Sequence, residues 1–166
     1  MTKVIVQLTG VGPKWAAPCQ RAVSDLNVLF KRNGINVVLA TSGQGPAISV
    51  RTDPTIQGDA VHGRTSSEFN GSGGFVGAEV RLPVKISINT PQGLRDAGAG
   101  VLEVVAAHEF VHALGHDEHN SHLMAQTMYK EAGDTGAGDK LKTGEVRLPP
   151  LVLSSQTVTT LQGLWP

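Results

Sequence analysis

Five of the six histidines in this chain, His108, His112, His116, His119 and His122, fall within fifteen consecutive residues, and only His62 lies elsewhere. Neutral imidazole is the commonest side-chain metal ligand, so a cluster of this density points to a metal before any other chemistry. Within it, His108-Glu109-Phe110-Val111-His112 sets two histidines four residues apart. On a helix that spacing stacks both rings on one face, one turn apart, where they can share an ion. Glu109 follows the first ligand by one residue and therefore leans beside the metal, which is the position of a general base. Zinc lowers the pKa of a bound water to roughly 7, and a neighbouring carboxylate can take its proton while the oxygen attacks a carbonyl polarised by the same ion. The chemistry expected is hydrolysis of peptide bonds without a covalent intermediate.

A third ligand must come from beyond Gly115, which suits the left-handed conformation that ends helices and lets the chain turn back toward the metal. His116, Glu118 and His119 all follow that break. His119 is favoured, because imidazole is the commoner third ligand and because His116, directly after the glycine, has little chain with which to swing round. Glu118 and His116 remain the alternatives. His122 is expected to be an exposed turn residue.

The run H-E-F-V-H-A-L-G-H-D-E-H, residues 108–119, resembles the metzincin zinc peptidases, whose pattern is H-E-x-x-H-x-x-G-x-x-H followed by a methionine-containing turn. Glu118 stands where that pattern has its last histidine, so the resemblance carries over to His119 with a one-residue insertion. Residues 102–115 (LEVVAAHEFVHALG) are similar to the active-site helix of the matrixins within that family. His122-Leu123-Met124-Ala125 looks like the Met-turn, which implies Met124 as an apolar floor under the metal, with Met128-Tyr129 as the competing candidate. The resemblance further implies a single metzincin-like α/β domain over residues 1–166. Its twisted five-stranded sheet would be mostly parallel with one antiparallel edge strand, accompanied by two long helices and a short C-terminal one. Gly115 would divide an upper part, 1–114, from a lower part, 115–166. Residues 76–82, with Gly77, Ala78, Glu79 and Val80, lie where the edge strand should pair an extended substrate, adding main-chain hydrogen bonds without reading sequence. Residues 124–138 would wall a side-chain pocket, and Tyr129 could bond a developing oxyanion. One catalytic zinc is expected. A second, structural metal at Asp59 and His62 is not, for want of the family's histidine-rich loop.

The elements that must position these residues can be read from periodicity. Residues 4–8 (VIVQL) read as a first strand, and 15–32 as a helix with Ala22, Leu26, Leu29 and Phe30 on one face, closed by Asn33-Gly34. Short β-branched runs at 35–40, 47–51, 76–82 and 84–89 read as further strands, the last two split by Pro83. Residues 52–74, rich in Gly, Ser, Thr and Asp, read as a long surface loop. A helix is expected from Gln92 or Leu94 to Leu114, and a last short one over 154–164.

Fourteen basic residues balance fourteen acidic ones, which leaves no electrostatic footprint for a phosphate backbone and excludes nucleic acid as the natural partner. A peptide or protein substrate fits better, acted on by a monomer. No transmembrane helix is expected, and no export signal is visible, although the resemblance favours secretion. Cys19 has no partner for an internal disulfide and reads as a small core residue. Two rivals stand beside the leading reading. Glu131, nineteen residues after His112, could be a thermolysin-like third ligand, against which Gly115 and the lack of a helical pattern around Glu131 both argue. The other is a zinc-containing binding module of the same fold without turnover.

Overall fold

Val4, Ile5 and Val6 are consecutively buried, as a strand covered on both faces requires, and they form the middle of β1 (Thr2–Gly10). The computed structural model describes residues 1–57, 63–90, 93–125 and 151–166. After β1 the chain enters α1 (Pro13–Arg32), with proline in the first turn where its missing N–H costs nothing. β2 (Val37–Ala40), β3 (Ala47–Thr52), β4 (Arg64–Phe69) and β5 (Phe75–Leu82) complete a sheet in the order β2-β1-β3-β5-β4. All neighbours are parallel except β4 and β5, which pair antiparallel from Arg64↔Arg81 to Phe69↔Phe75. The fold is thus α/β with a five-stranded, mostly parallel sheet, as expected from the sequence.

Its membership differs from the expectation. The segment read as a loop contains β4, and it is β4 that forms the antiparallel edge. Residues 77–80 belong to β5, which is bonded to β3 on one side and β4 on the other. Gly77, Ala78, Glu79 and Val80 therefore cannot pair a substrate, because their main-chain groups are already committed to neighbours. Glu79 faces the side of the sheet away from the helices, between Arg51 and Arg81 at 3.5 Å each. The run at 84–89 also leaves the sheet. It supplies β6 (Ser87–Thr90), which forms a separate antiparallel hairpin with β7 (Gly93–Asp96). Residues read as the beginning of the second helix are thereby strand, and α2 spans Ala99–Ala113.

α1 and α2 lie against each other on one face of the sheet, α1 over β1 and β2, α2 over β4 and β5. α2 is apolar nearly all round, with Val101, Leu102, Val104, Val105, Ala106, Ala107, Phe110, Val111 and Ala113 buried. A helix of that kind stands in the middle of a core, and its few polar residues are held there for another reason. The C-terminal α3 (Ser155–Leu164), whose Ser154 hydroxyl accepts from the Thr157 N–H, buries Leu161 in the core. Trp165 after it donates from Nε1 to the Leu114 carbonyl at 3.0 Å, capping the end of α2. Cys19, on the buried face of α1, is fully buried, and burial pushes its thiol up to about 12, so it is an inert core residue. Among the described residues no helix is long and apolar enough to cross a membrane.

Candidate metal centre

The last two turns of α2 carry His108 and His112 on one side. Gly115, at φ 99°, then reverses the chain, with its N–H on the His112 carbonyl and the His116 N–H on the Val111 carbonyl. These two bonds are the Schellman arrangement, and they satisfy carbonyls that the end of a helix leaves open. A side chain is excluded at this position both by the positive φ and by space, since a Cβ would lie 2.7 Å from the Phe69 ring. The same turn delivers the His116 carbonyl onto the His112 ring, where it accepts from Nδ1 at 2.6 Å.

From there the chain brings His119 back. The His112 Nε2 lies 3.0 Å from the His108 Nε2 and 3.2 Å from the His119 Nε2, and one nitrogen of each ring lies within 4.8 Å of the other two. His108 donates from Nδ1 to the Leu123 carbonyl at 2.7 Å. With Nδ1 spoken for, His108 and His112 both present an Nε2 lone pair to the same point. Lone pairs at such distances repel unless a proton or a cation lies among them. Burial first, and then the neighbouring His108, hold His112 below the usual imidazole range, which keeps it neutral and ready to ligate. The three histidines could hold a metal ion.

His116 and Glu118, the alternative third ligands, are engaged elsewhere. His116 is 1% exposed and turns toward α3, with its Nε2 3.3 Å from both Asn120 Nδ2 and Thr157 Oγ1. Glu118 accepts from Gln156 at 2.8 Å. Asn120 ties the ligand-bearing loop to the start of α3, donating to Thr157 at 2.9 Å and accepting from Ser154 at 3.1 Å.

Met124 ends a short 3-10 turn, His122–Met124, and is fully buried. The turn is held by the Asn120 N–H on the Met124 carbonyl and the Leu123 N–H on the Val152 carbonyl. Because the carbonyl that receives His108 belongs to Leu123, this turn directly supports the first ligand. His122 sits in it at φ 57°, half-buried and outside the histidine cluster, and not as the exposed residue expected. Tyr129, Met128, Glu131, Asp59, His62 and the pocket residues from 126 onward lie outside the described residues.

Glu109 is 6% exposed, and its carboxylate opens into a cleft of about 440 Å³ lined also by Gly63, Thr65, Ser66, Ser67, Asp117 and the three histidines. Burial pushes the Glu109 carboxyl above the ordinary carboxylate range, while the Thr65 hydroxyl that donates to Oε2 and the nearby His112 and His119 pull it back. The wall opposite α2 is β4, and among the described residues no strand pairs with its outer edge. Thr65, Ser66 and Ser67 are site residues that periodicity alone did not reveal. The short hydroxyl side chains of Thr65 and Ser67, at alternate positions of β4, face a polar cleft, so the apolar alternation that identifies a strand is absent where the strand meets the site. No family model matches the chain, and no curated protein matches it.

Proposed function

We propose that the protein is a zinc-dependent endopeptidase in which His108, His112 and His119 bind one zinc and Glu109 is the general base. The observation that carries this reading is the convergence of three imidazole nitrogens beside a buried carboxylate, at the wall of a cleft bordered by a strand whose outer edge no described strand pairs. Nitrogens about 2.0–2.1 Å from a tetrahedral zinc lie about 3.3–3.4 Å apart. The observed 3.0 and 3.2 Å need only a few tenths of an ångström of adjustment. Three protein ligands leave a fourth position for water or substrate, as catalytic zinc sites do. When bound, zinc supplies Lewis acidity, acidifying water and polarising a carbonyl oxygen.

The chain's own groups account for the remaining steps. An extended peptide pairs with the outer edge of β4, which holds its scissile bond across the cleft and leaves side-chain selectivity to the surrounding walls. The Glu109 carboxylate, placed away from bulk water, accepts a proton from the attacking water at one oxygen and returns it to the leaving amine nitrogen. The backbone carbonyls of Leu123 and His116 hold the His108 and His112 rings in the tautomer that ligates. Met124 belongs to the turn that secures the first of these contacts, a role that agrees with the resemblance to the metzincin Met-turn.

The test is hydrolysis of a mixed peptide library by the zinc-loaded protein, with Glu109→Ala as control. Zinc occupancy should be nearly unchanged in the variant and turnover should fall at least about a hundredfold, in line with the usual contribution of a general base. Equal activity in both proteins, or none in either, would overturn the peptidase and favour a zinc-containing binding module.

A further inference from the structure

The Glu109 carboxylate is approached by two residues that take no part in the proposed hydrolysis, one in β4 and one just before it. Thr65 Oγ1 donates to its Oε2 and lies 3.5 Å from the Glu109 backbone carbonyl. Gly63, two residues earlier, comes so close that a Cβ built on it would stand 2.8 Å from Cγ, Cδ and Oε1 of Glu109, and these are the three nearest atoms. Gly63 is not among the glycines at positive φ, so its backbone would accept alanine without strain. The space above it is filled by the carboxyl group and by nothing nearer. One oxygen is thus held by a hydroxyl, and the other has room where it stands because position 63 carries no side chain, both at the start of the same strand, 44 residues distant in sequence in the case of Thr65.

We propose that Gly63 and Thr65 are positioning residues, which together hold the Glu109 carboxylate in one orientation beside the three histidines. The role given to that carboxylate rests on the peptidase reading, but the geometric statement does not. A glutamate side chain has three torsions, and only a narrow range of them puts an oxygen where it can take a proton from the attacking water. Displacement by about 1 Å is enough to cost about a hundredfold in rate. Because the strand that fixes the carboxylate also offers its outer edge to a peptide, a shift of β4 would move substrate and base together and preserve their mutual geometry.

The experiment uses the full chain with Gly63→Ala, Thr65→Val and Thr65→Ser. Valine keeps the β-branched shape that suits the strand and removes only the hydroxyl, while serine restores the donor. Zinc affinity, measured by competition with a chromophoric chelator, should stay within about twofold of the parent in all three, since no ligand or ligand partner is touched. On a cleaved peptide, Gly63→Ala and Thr65→Val should lower kcat at least about tenfold with KM within about twofold, and Thr65→Ser should recover most of the loss. A crystal structure of zinc-loaded Gly63→Ala should have the Glu109 carboxylate displaced and the three histidines in place. A carboxylate that stays put, or a zinc affinity that falls in step with kcat, would overturn the proposal. A parent protein that binds zinc and cleaves nothing would sink the peptidase alone, and the crystal structure would still decide the role of Gly63 and Thr65.

Discussion

An imidazole whose Nδ1 donates to a backbone carbonyl has only its Nε2 left for a metal, and His108 and His112 are both so arranged. That constraint makes the third position decisive. Disturbing a ligand's hydrogen-bond partner costs about 10–100-fold in affinity, so removing a ligand should cost more. His119→Ala is expected to weaken zinc by at least about a hundredfold, and Glu118→Ala to leave it within about twofold, as read by chelator competition. The reverse pattern would return Glu118 to the site. A second expectation concerns Asp53, whose carboxyl is held below the usual range by the Thr55 hydroxyl and N–H and by Arg51 and Arg81. A depressed folded pKa means that its stabilising contribution is complete above the unfolded value of about 3.9 and disappears as pH falls through the folded one. The urea midpoint of Asp53→Asn should therefore lie below that of the parent at about pH 7 and approach it at about pH 2; a gap that widened on acidification would contradict this. His108, Glu109 and His112 could be named from spacing because helical geometry acts over a few residues, whereas spacing alone pointed to Glu118 and it was the chemistry of imidazole that favoured His119. Gly63 and Thr65 could not, because their partner is brought to them by tertiary folding alone.

Gly115 governs how α2 and the ligand loop meet. Gly115→Ala would force a side chain into a left-handed turn and against the Phe69 ring, a combination expected to cost about 1–3 kcal/mol in urea unfolding. Zinc affinity should fall with it, because the His116 carbonyl that orients His112 rides on the same turn. A fully stable, fully metal-binding Gly115→Ala protein would show that the turn has another solution. The glycine was legible because positive φ has a residue signature. The edge strand was not: Arg64–Phe69 reads RTSSEF, whose inward positions Thr65 and Ser67 serve the cleft instead of an apolar core. The apolar run at 84–89 looked like a better strand and went to a peripheral hairpin. Five strands were expected and five are found in the sheet, but one of them comes from a different segment. Hydrophobic alternation reports burial, and the strand bordering the site is the one whose inner face is least apolar.

At the scale of the whole molecule, the centre joins parts distant in sequence: α2, the loop that returns His119, and, through Asn120 on Thr157 and Ser154, the start of α3. An ion that binds only this folded arrangement must stabilise it. At a free zinc concentration about a hundred times Kd the gain is about 2.7 kcal/mol. For a chain of 166 residues this corresponds to about 5–10 °C in Tm. Stripping the metal with a chelator should reverse the shift, and an unchanged Tm at saturating zinc would mean that the ion does not select the fold. α2 is buried on nearly all sides, and while Glu103 pairs with Arg21 of α1, His108, Glu109 and His112 all turn to one cleft. The most direct test is zinc-edge X-ray absorption on the purified protein at neutral pH, alongside His119→Ala. One zinc per chain, with three imidazole nitrogens at about 2.0–2.1 Å and a further light-atom ligand, and the loss of one nitrogen in the variant, is the expected result. A protein that takes up no zinc, or a spectrum unchanged by removing His119, would contradict the three-histidine centre.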